Sequence, residues 1–239
     1  MAFDRKTVIA HARGADAAMV DEGLRAFMLK VYNYMCLGLG VTGAVAMFTA
    51  SSEGMMQAIY GTPLAWLVML SPLAFILVLS FGLNKLSVGA TRALFWAFAV
   101  VMGLSMASIF MVYTSTSIAR VFFITAAAFA GLSLYGYTTK RNLSGMGSFM
   151  VMGLIGIIIA MLVNLFLQSS ALHFAISVIG VLVFAGLTAW DTQKLKMVYA
   201  AQSGDAAVAE KSAIMGALRL YLDFVNMFYF LLHLFGGRE

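Results

Sequence analysis

The chain has 239 residues, of which 62% are apolar and only 10% charged, and a net charge of +5. A soluble domain carries about 25% charged residues. A soluble surface this poor in charge would expose enough apolar area to drive aggregation, so lipid is the solvent that suits the composition. The cationic excess does not indicate nucleic-acid binding, because the Lys and Arg residues sit in loops flanking apolar runs.

Residues 1–30 form a polar segment mixing acids, bases and small residues, without the apolar core of a cleavable signal peptide. Met19, Leu24, Phe27 and Met28 fall near one helical face and predict a short surface helix at its end. The apolar runs that follow predict membrane spans at 31–51, 63–82, 93–114, 119–138, 147–168, 171–192 and 213–235. Between Asn142 and Trp190 no charge occurs over 49 residues. That length holds two crossings of about 20 residues each, and the polar Gln168-Ser169-Ser170 marks the turn between them. Pro63 falls at a helix start, where its missing N–H costs nothing. Pro72 falls inside the second span and predicts a kink.

The expected fold is an all-α membrane protein, a seven-helix bundle over residues 31–235 with a short tail at 236–239 and no internal repeat. If the N-terminus is inside, 13 of the 15 Lys and Arg residues fall on inner segments, and only Arg120 and Arg238 fall outside. By the positive-inside rule the N-terminus is cytoplasmic and, with seven spans, the C-terminus lies outside. The compact loops and the absence of a targeting segment suit a bacterial inner membrane.

Several apparent motifs have bland readings. Gly38-Leu39-Gly40-Val41-Thr42-Gly43 matches G-x-G-x-x-G, but a dinucleotide fingerprint must follow a strand and open a helix. Inside a span these small residues allow close helix packing, and the same holds for Gly131, Gly136, Gly153, Gly156, Gly180 and Gly186. The 18 methionines suit adaptable packing. His11, His173 and His233 are isolated in sequence, so no transition-metal site is expected. The single cysteine, Cys36, allows no intramolecular disulfide. Asn142-Leu143-Ser144 is a formal glycosylation sequon that falls on the inner side.

Two acids stand out. Asp191 lies at the inner end of span six, and Asp223 lies within span seven. A carboxylate in a span costs about 2.5–3.5 kcal/mol on insertion scales and usually faces the bundle interior. Asp191 is three residues before Lys194 and Asp223 four after Arg219, so each lies about one turn inward of a cation. Antiparallel neighbours would bring the two acids together. In the seventh span Arg219, Asp223, Asn226 and His233 fall in a stripe about 80° wide. A helix with such a stripe belongs at the bundle centre, wrapped by the other six. The simpler alternative pairs Asp223 with Arg219 on its own helix and lets Asp191 reach the inner surface.

At these residues the sequence resembles the Bax inhibitor-1 family, which includes bacterial members and the eukaryotic transmembrane BAX inhibitor motif proteins. The similarity covers nearly the whole chain after residue 25. It is carried by Met102-Gly103-Leu104-Ser105, Phe123-Ile124-Thr125-Ala126-Ala127, Ser133-Leu134-Tyr135-Gly136-Tyr137-Thr138-Thr139-Lys140 and Met152-Gly153-Leu154-Ile155-Gly156. Trp190-Asp191-Thr192-Gln193 is similar to the family's aromatic-Asp-Thr-Gln motif, and Leu220-Tyr221-Leu222-Asp223-Phe224-Val225-Asn226 to its last-helix motif. The resemblance implies a central last helix and an aspartate pair, matching Asp191 and Asp223, that senses pH and gates a calcium leak. It also implies a basic latch near the second helix, for which Lys85 and Arg219 are the candidates here.

Two carboxylates held together cannot both ionise cheaply, and such a pair titrates as a unit. On this reading a half-protonated pair holds spans six and seven shut, and full ionisation opens an acidic site. Hard oxygen ligands suit a transient Ca²⁺, with Asn226, carbonyls or water completing the shell, and no tightly bound cofactor is expected. The main rival is a non-conducting regulator that binds a membrane protease or a stress- or death-pathway protein. An intramembrane aspartyl protease is disfavoured, because Asp223 follows Tyr221-Leu222 where such enzymes carry Gly-x-Gly, and no proline follows residue 72. A retinal-type photoreceptor is disfavoured because the last span has no lysine for a Schiff base.

Overall fold

A computed structural model describes residues 5–83, 85–201 and 205–237, with side chains from residue 22 onward. Met19 and Arg238 therefore lie outside the described side chains. Eight α-helices account for the described chain, and no strand element occurs among them. They are α1 (Arg5–Ala50), α2 (Glu53–Tyr60), α3 (Leu64–Gly82), α4 (Val88–Met106), α5 (Ser115–Thr138), α6 (Ser144–Leu167), α7 (Ser170–Ala200) and α8 (Ala206–Phe235). A 3₁₀ turn, Ala107–Met111, extends α4. All except α2 contain a stretch long and apolar enough to cross a bilayer.

The helix limits follow local chemistry. Ser52, Ser87, Thr114 and Ser169 each accept a backbone N–H at the start of α2, α4, α5 and α7. Asp205 starts α8 by accepting from the N–H groups of Ala207 and Val208. Pro63 occupies the N-cap of α3, and that helix continues through Pro72. The turn at residues 168–170 falls where the polar cluster places it. Gln168 closes α6 in the left-handed region at φ 48°, and Ser169 caps α7. The Asn142 carboxamide is a turn element, accepting the Ser144 N–H at 2.9 Å.

Two features differ from the sequence reading. The expected surface helix and the first span are one element, α1, because Phe27, Met28 and Val31 continue the buried face without a break. A short helix, α2, also stands between the first two spans, and the Tyr60 hydroxyl fastens it by donating to the Leu104 carbonyl.

The layering follows apolarity in reverse. α8 has the lowest mean hydropathy of the seven, 1.3, and 72% of its most apolar 18-residue stretch is buried. α3 and α6 have the highest, 2.4 and 2.6, and are buried over only 11% and 6%. α8 packs against α7, α1, α5 and α4, while α3 lies chiefly on α4 and α6 chiefly on α7. The last helix is thus central, but four helices make the tight ring around it. The two most apolar helices form an outer flank, since lipid can cover nearly all of their surface.

Close approach within the ring depends on missing side chains. A Cβ on Gly136 would fall 2.2 Å from the Ala189 carbonyl oxygen, one on Gly180 2.6 Å from the Phe230 ring, and one on Gly103 2.7 Å from the Thr42 carbonyl. Gly40, Gly43, Gly131 and Gly156, expected to act alike, have nothing within 4 Å of such an atom and do not mediate helix contact.

Buried polar groups lock the ring. The Tyr221 hydroxyl, fully buried, donates to Thr42 Oγ1 at 2.7 Å, which in turn donates to the Ala99 carbonyl at 2.8 Å. This joins α8, α1 and α4. At one end of α8, Glu210 accepts from Lys30 at 2.7 Å and from Arg92 and Tyr34, each at 2.8 Å. Overpacking a tight helix crossing costs about 1–3 kcal/mol. Gly136→Val should therefore lower the unfolding temperature in detergent, whereas Gly131→Ala should leave it unchanged or raise it slightly, as measured by circular dichroism.

Candidate functional site

The aromatic-Asp-Thr-Gln segment on α7 is anchored on both sides. A Cβ at Gly147 of α6 would collide with the Trp190 ring, so the indole lies flat against that glycine. Thr192 is buried and lies 3.0 Å from the Ser133 hydroxyl of α5. Gln193 ties down the loop between α5 and α6, accepting the Leu143 N–H at 2.8 Å and donating to the Arg141 carbonyl at 2.7 Å. With its neighbours fixed to α5 and α6, Asp191 is aimed by the helix itself.

Asp191 of α7 and Asp223 of α8 line one cavity of about 530 Å³ bounded by α6, α7 and α8. The two side chains face the same space from adjacent helices. Ionised carboxylates only accept hydrogen bonds, so a bond between these two requires a proton on one of them. Asp223 is only 5% exposed, and its Oδ2 has no hydrogen-bond partner among the described residues. A buried polar atom left unsatisfied costs about 1–3 kcal/mol.

Arg219 and Lys194 line the same cavity. Arg219 acts electrostatically on both carboxyls and Lys194 on Asp191. Neither cation closes an ion pair within 4 Å, because the two ion pairs found among the described residues both belong to Glu210. The same-helix pairing of Asp223 with Arg219 is therefore not formed. Lys194 instead places its Nζ 4.7 Å from the centre of the Trp190 ring, and Asn226 lines the cavity while donating its amide to the Leu222 carbonyl at 2.7 Å.

Of the two candidate latches, Arg219 borders the acidic cavity, whereas Lys85 follows the end of α3 and is not among the lining residues. Lys194 and Trp190 were not singled out as site residues by sequence reasoning, although their spacing of four places them on one helix face. His173 and His233, distant in sequence, meet with ring centres 4.8 Å apart. The Tyr113 hydroxyl lies 2.8 Å from His233 Nδ1. No group of three or more His, Cys, Asp or Glu side chains with metal-binding geometry occurs among the described residues.

Seven helices long and apolar enough to cross a bilayer, with two acids facing one cavity between α6, α7 and α8, define an integral membrane protein of the helical-bundle class. The family described as "Inhibitor of apoptosis-promoting Bax1" matches residues 24–239, and the chain belongs to this Bax inhibitor-1 family. It is 49% identical over 219 residues to an uncharacterised protein of Rickettsia prowazekii, with 92% of each chain covered. It is 46% identical over 229 residues to an uncharacterised Caulobacter vibrioides protein, again with 92% of each covered. To the Escherichia coli inner membrane protein YbhL it is 48% identical over 220 residues, covering 91% of this chain and 94% of that one.

An unsatisfied buried carboxyl destabilises the fold that contains it. Asp223→Asn, which removes the charge at similar volume, should therefore melt at a higher temperature than the native chain in detergent near neutral pH. A lower melting temperature would show that the carboxylate is structurally satisfied.

Proposed function

We propose that the chain is a pH-sensitive calcium-leak pathway gated by the Asp191–Asp223 pair. The observation that carries this reading is the shared cavity. Two carboxyls from adjacent helices meet there without an ion-paired cation, and one keeps a buried oxygen unsatisfied. A group this costly is retained where it acts.

The mechanism follows from the charge balance. With one proton between them, the two carboxyls hydrogen-bond and hold α7 against α8. Loss of that proton leaves two negative charges in a poorly hydrated cavity, and repulsion favours separation of the helices. The opened site offers hard oxygen ligands to a passing Ca²⁺, a preference set by the ion's chemistry. Asn226 is suited to supply a further oxygen. Arg219, at the cavity edge, serves as the latch by limiting the repulsion while the pair is closed. The ion is cargo, and no resident cofactor is needed.

The placement of Lys and Arg puts the N-terminus in the cytoplasm and the C-terminus outside. The inner-membrane location named for the Escherichia coli relative is proposed for this chain as well.

The test is Ca²⁺ flux into dye-loaded liposomes across a pH series. In the native chain, flux should rise with pH as the shared proton is lost. Asp191→Asn and Asp223→Asn should each abolish that pH dependence, and Arg219→Gln should raise flux at low pH. Flux through Asp223→Asn with the native pH profile would overturn the gate. Absence of flux at every pH, together with a co-purifying membrane protein, would favour the non-conducting regulator.

A further inference from the structure

The bundle has a second large opening, on the side of α8 away from the acidic pair. Residues Tyr32 of α1 and Ser133 of α5 bring their hydroxyls 2.5 Å apart, but α1 and α5 do not otherwise pack along their lengths. A groove of about 700 Å³ runs between them, floored by Phe224 of α8. It continues past Leu39, Gly40 and Phe122 into a further space of about 520 Å³. Gly40 and Gly43, which border it, have only open space where a side chain would lie.

The groove is charged at one end only. Arg25, Tyr32, Ser133 and Tyr137 mark that end, and the continuation has no charged lining residue. A second cation stands beside it. Lys196 donates to the Tyr137 carbonyl at 2.5 Å, with its Nζ 5.4 Å from the centre of the Tyr137 ring. Tyrosines and cations at this level match the headgroup zone of a bilayer. From Leu29 to Gly40 the groove follows α1 for about 16 Å, at 1.5 Å per residue, close to half of a hydrocarbon core about 30 Å thick.

We propose that this groove is a binding site for one anionic phospholipid. The phosphate sits beside Arg25 and Lys196, and an acyl chain lies between α1 and α5 down to Gly40. Charge selects the headgroup, because basic pockets between transmembrane helices attract anionic lipids. The walls suit an acyl chain. Gly40, Ala126 and Ala130 leave space between the bulkier Leu29, Met35, Leu39, Phe129 and Leu134, and a space of this kind with charge at one end suits an amphiphile with a single headgroup. This site is independent of the acidic pair, so it stands or falls separately from the proposed gate.

The experiment uses the full chain in nanodiscs of phosphatidylcholine titrated with phosphatidylglycerol, with retained lipid counted by native mass spectrometry. Phosphatidylglycerol should be retained preferentially, and Arg25→Gln and Lys196→Gln should each lower that preference about fivefold, the effect of about 1 kcal/mol per interfacial cation. Arg120→Gln, near the opposite end of α5 from Tyr137, should not. Cys36 lines the groove and is the chain's only cysteine, so its rate of maleimide modification gives a local readout. That rate should fall as phosphatidylglycerol is added and recover in Ala130→Phe, which fills the groove. Equal retention of both lipids, or phosphatidylglycerol retention unchanged in the Arg25 and Lys196 variants, would overturn the site. So would protection of Cys36 by a co-purifying transmembrane protein in place of lipid.

Discussion

A bilayer offers no water to a polar side chain, and this constraint orders the whole molecule. Asp223, Asn226 and Arg219 lie on the last helix, and any lipid-facing position for Asp223 would leave a carboxyl in hydrocarbon at a cost of several kcal/mol. The helix escapes that cost by being enclosed. α1, α4, α5 and α7 close around it, and its polar groups gain partners or a cavity in place of lipid. The other helices then sort themselves by what they can show to lipid. α6, the most apolar at a mean hydropathy of 2.6, is the least buried.

Enclosure demands close packing, and glycine supplies it where backbones nearly touch. Gly136 meets the Ala189 backbone, two residues before Asp191, and Gly180 meets Phe230, seven residues beyond Asp223. The two acids are thus flanked by crossings that hold α7 rigidly against both neighbours. Glu210 closes the same helix at one end through α1 and α4. Its two cation partners are about half exposed, so its contribution is mainly to fix direction, and exposed pairs add little stability. Between these fixed points Asp191 of α7 and Asp223 of α8 bring like charges to one cavity.

The two large openings of the bundle differ in kind. The cavity at the acidic pair carries opposing charges within a few side chains of each other and lies between helices that pack tightly. The α1–α5 groove carries its charge at one end and is apolar along its length. α8 separates them, with Asp223 on one side and Phe224 on the other.

The sequence by itself determined the number of crossings, the turn at Gln168, and the unusual character of the last span. Those depend on composition and on contacts close along the chain, and apolar length and helix capping are local properties. It also marked Asp191 and Asp223, because an acid within an apolar run is conspicuous without any structure. Only the tertiary structure decided which of the two candidate cations borders the pair, since Arg219 lies within α8 and faces the cavity, whereas Lys85 lies beyond the end of α3 and does not line it. Tertiary structure also separated glycines that pack from glycines that do not. Gly136 and Gly131 are five residues apart on one helix, and a step of about 100° per residue turns one toward α7 and the other toward empty space. The Glu210 cluster, the meeting of His173 with His233 and the α1–α5 groove were illegible for the same reason. Each joins residues far apart in sequence, and only the closure of the other helices around α8 brings them together.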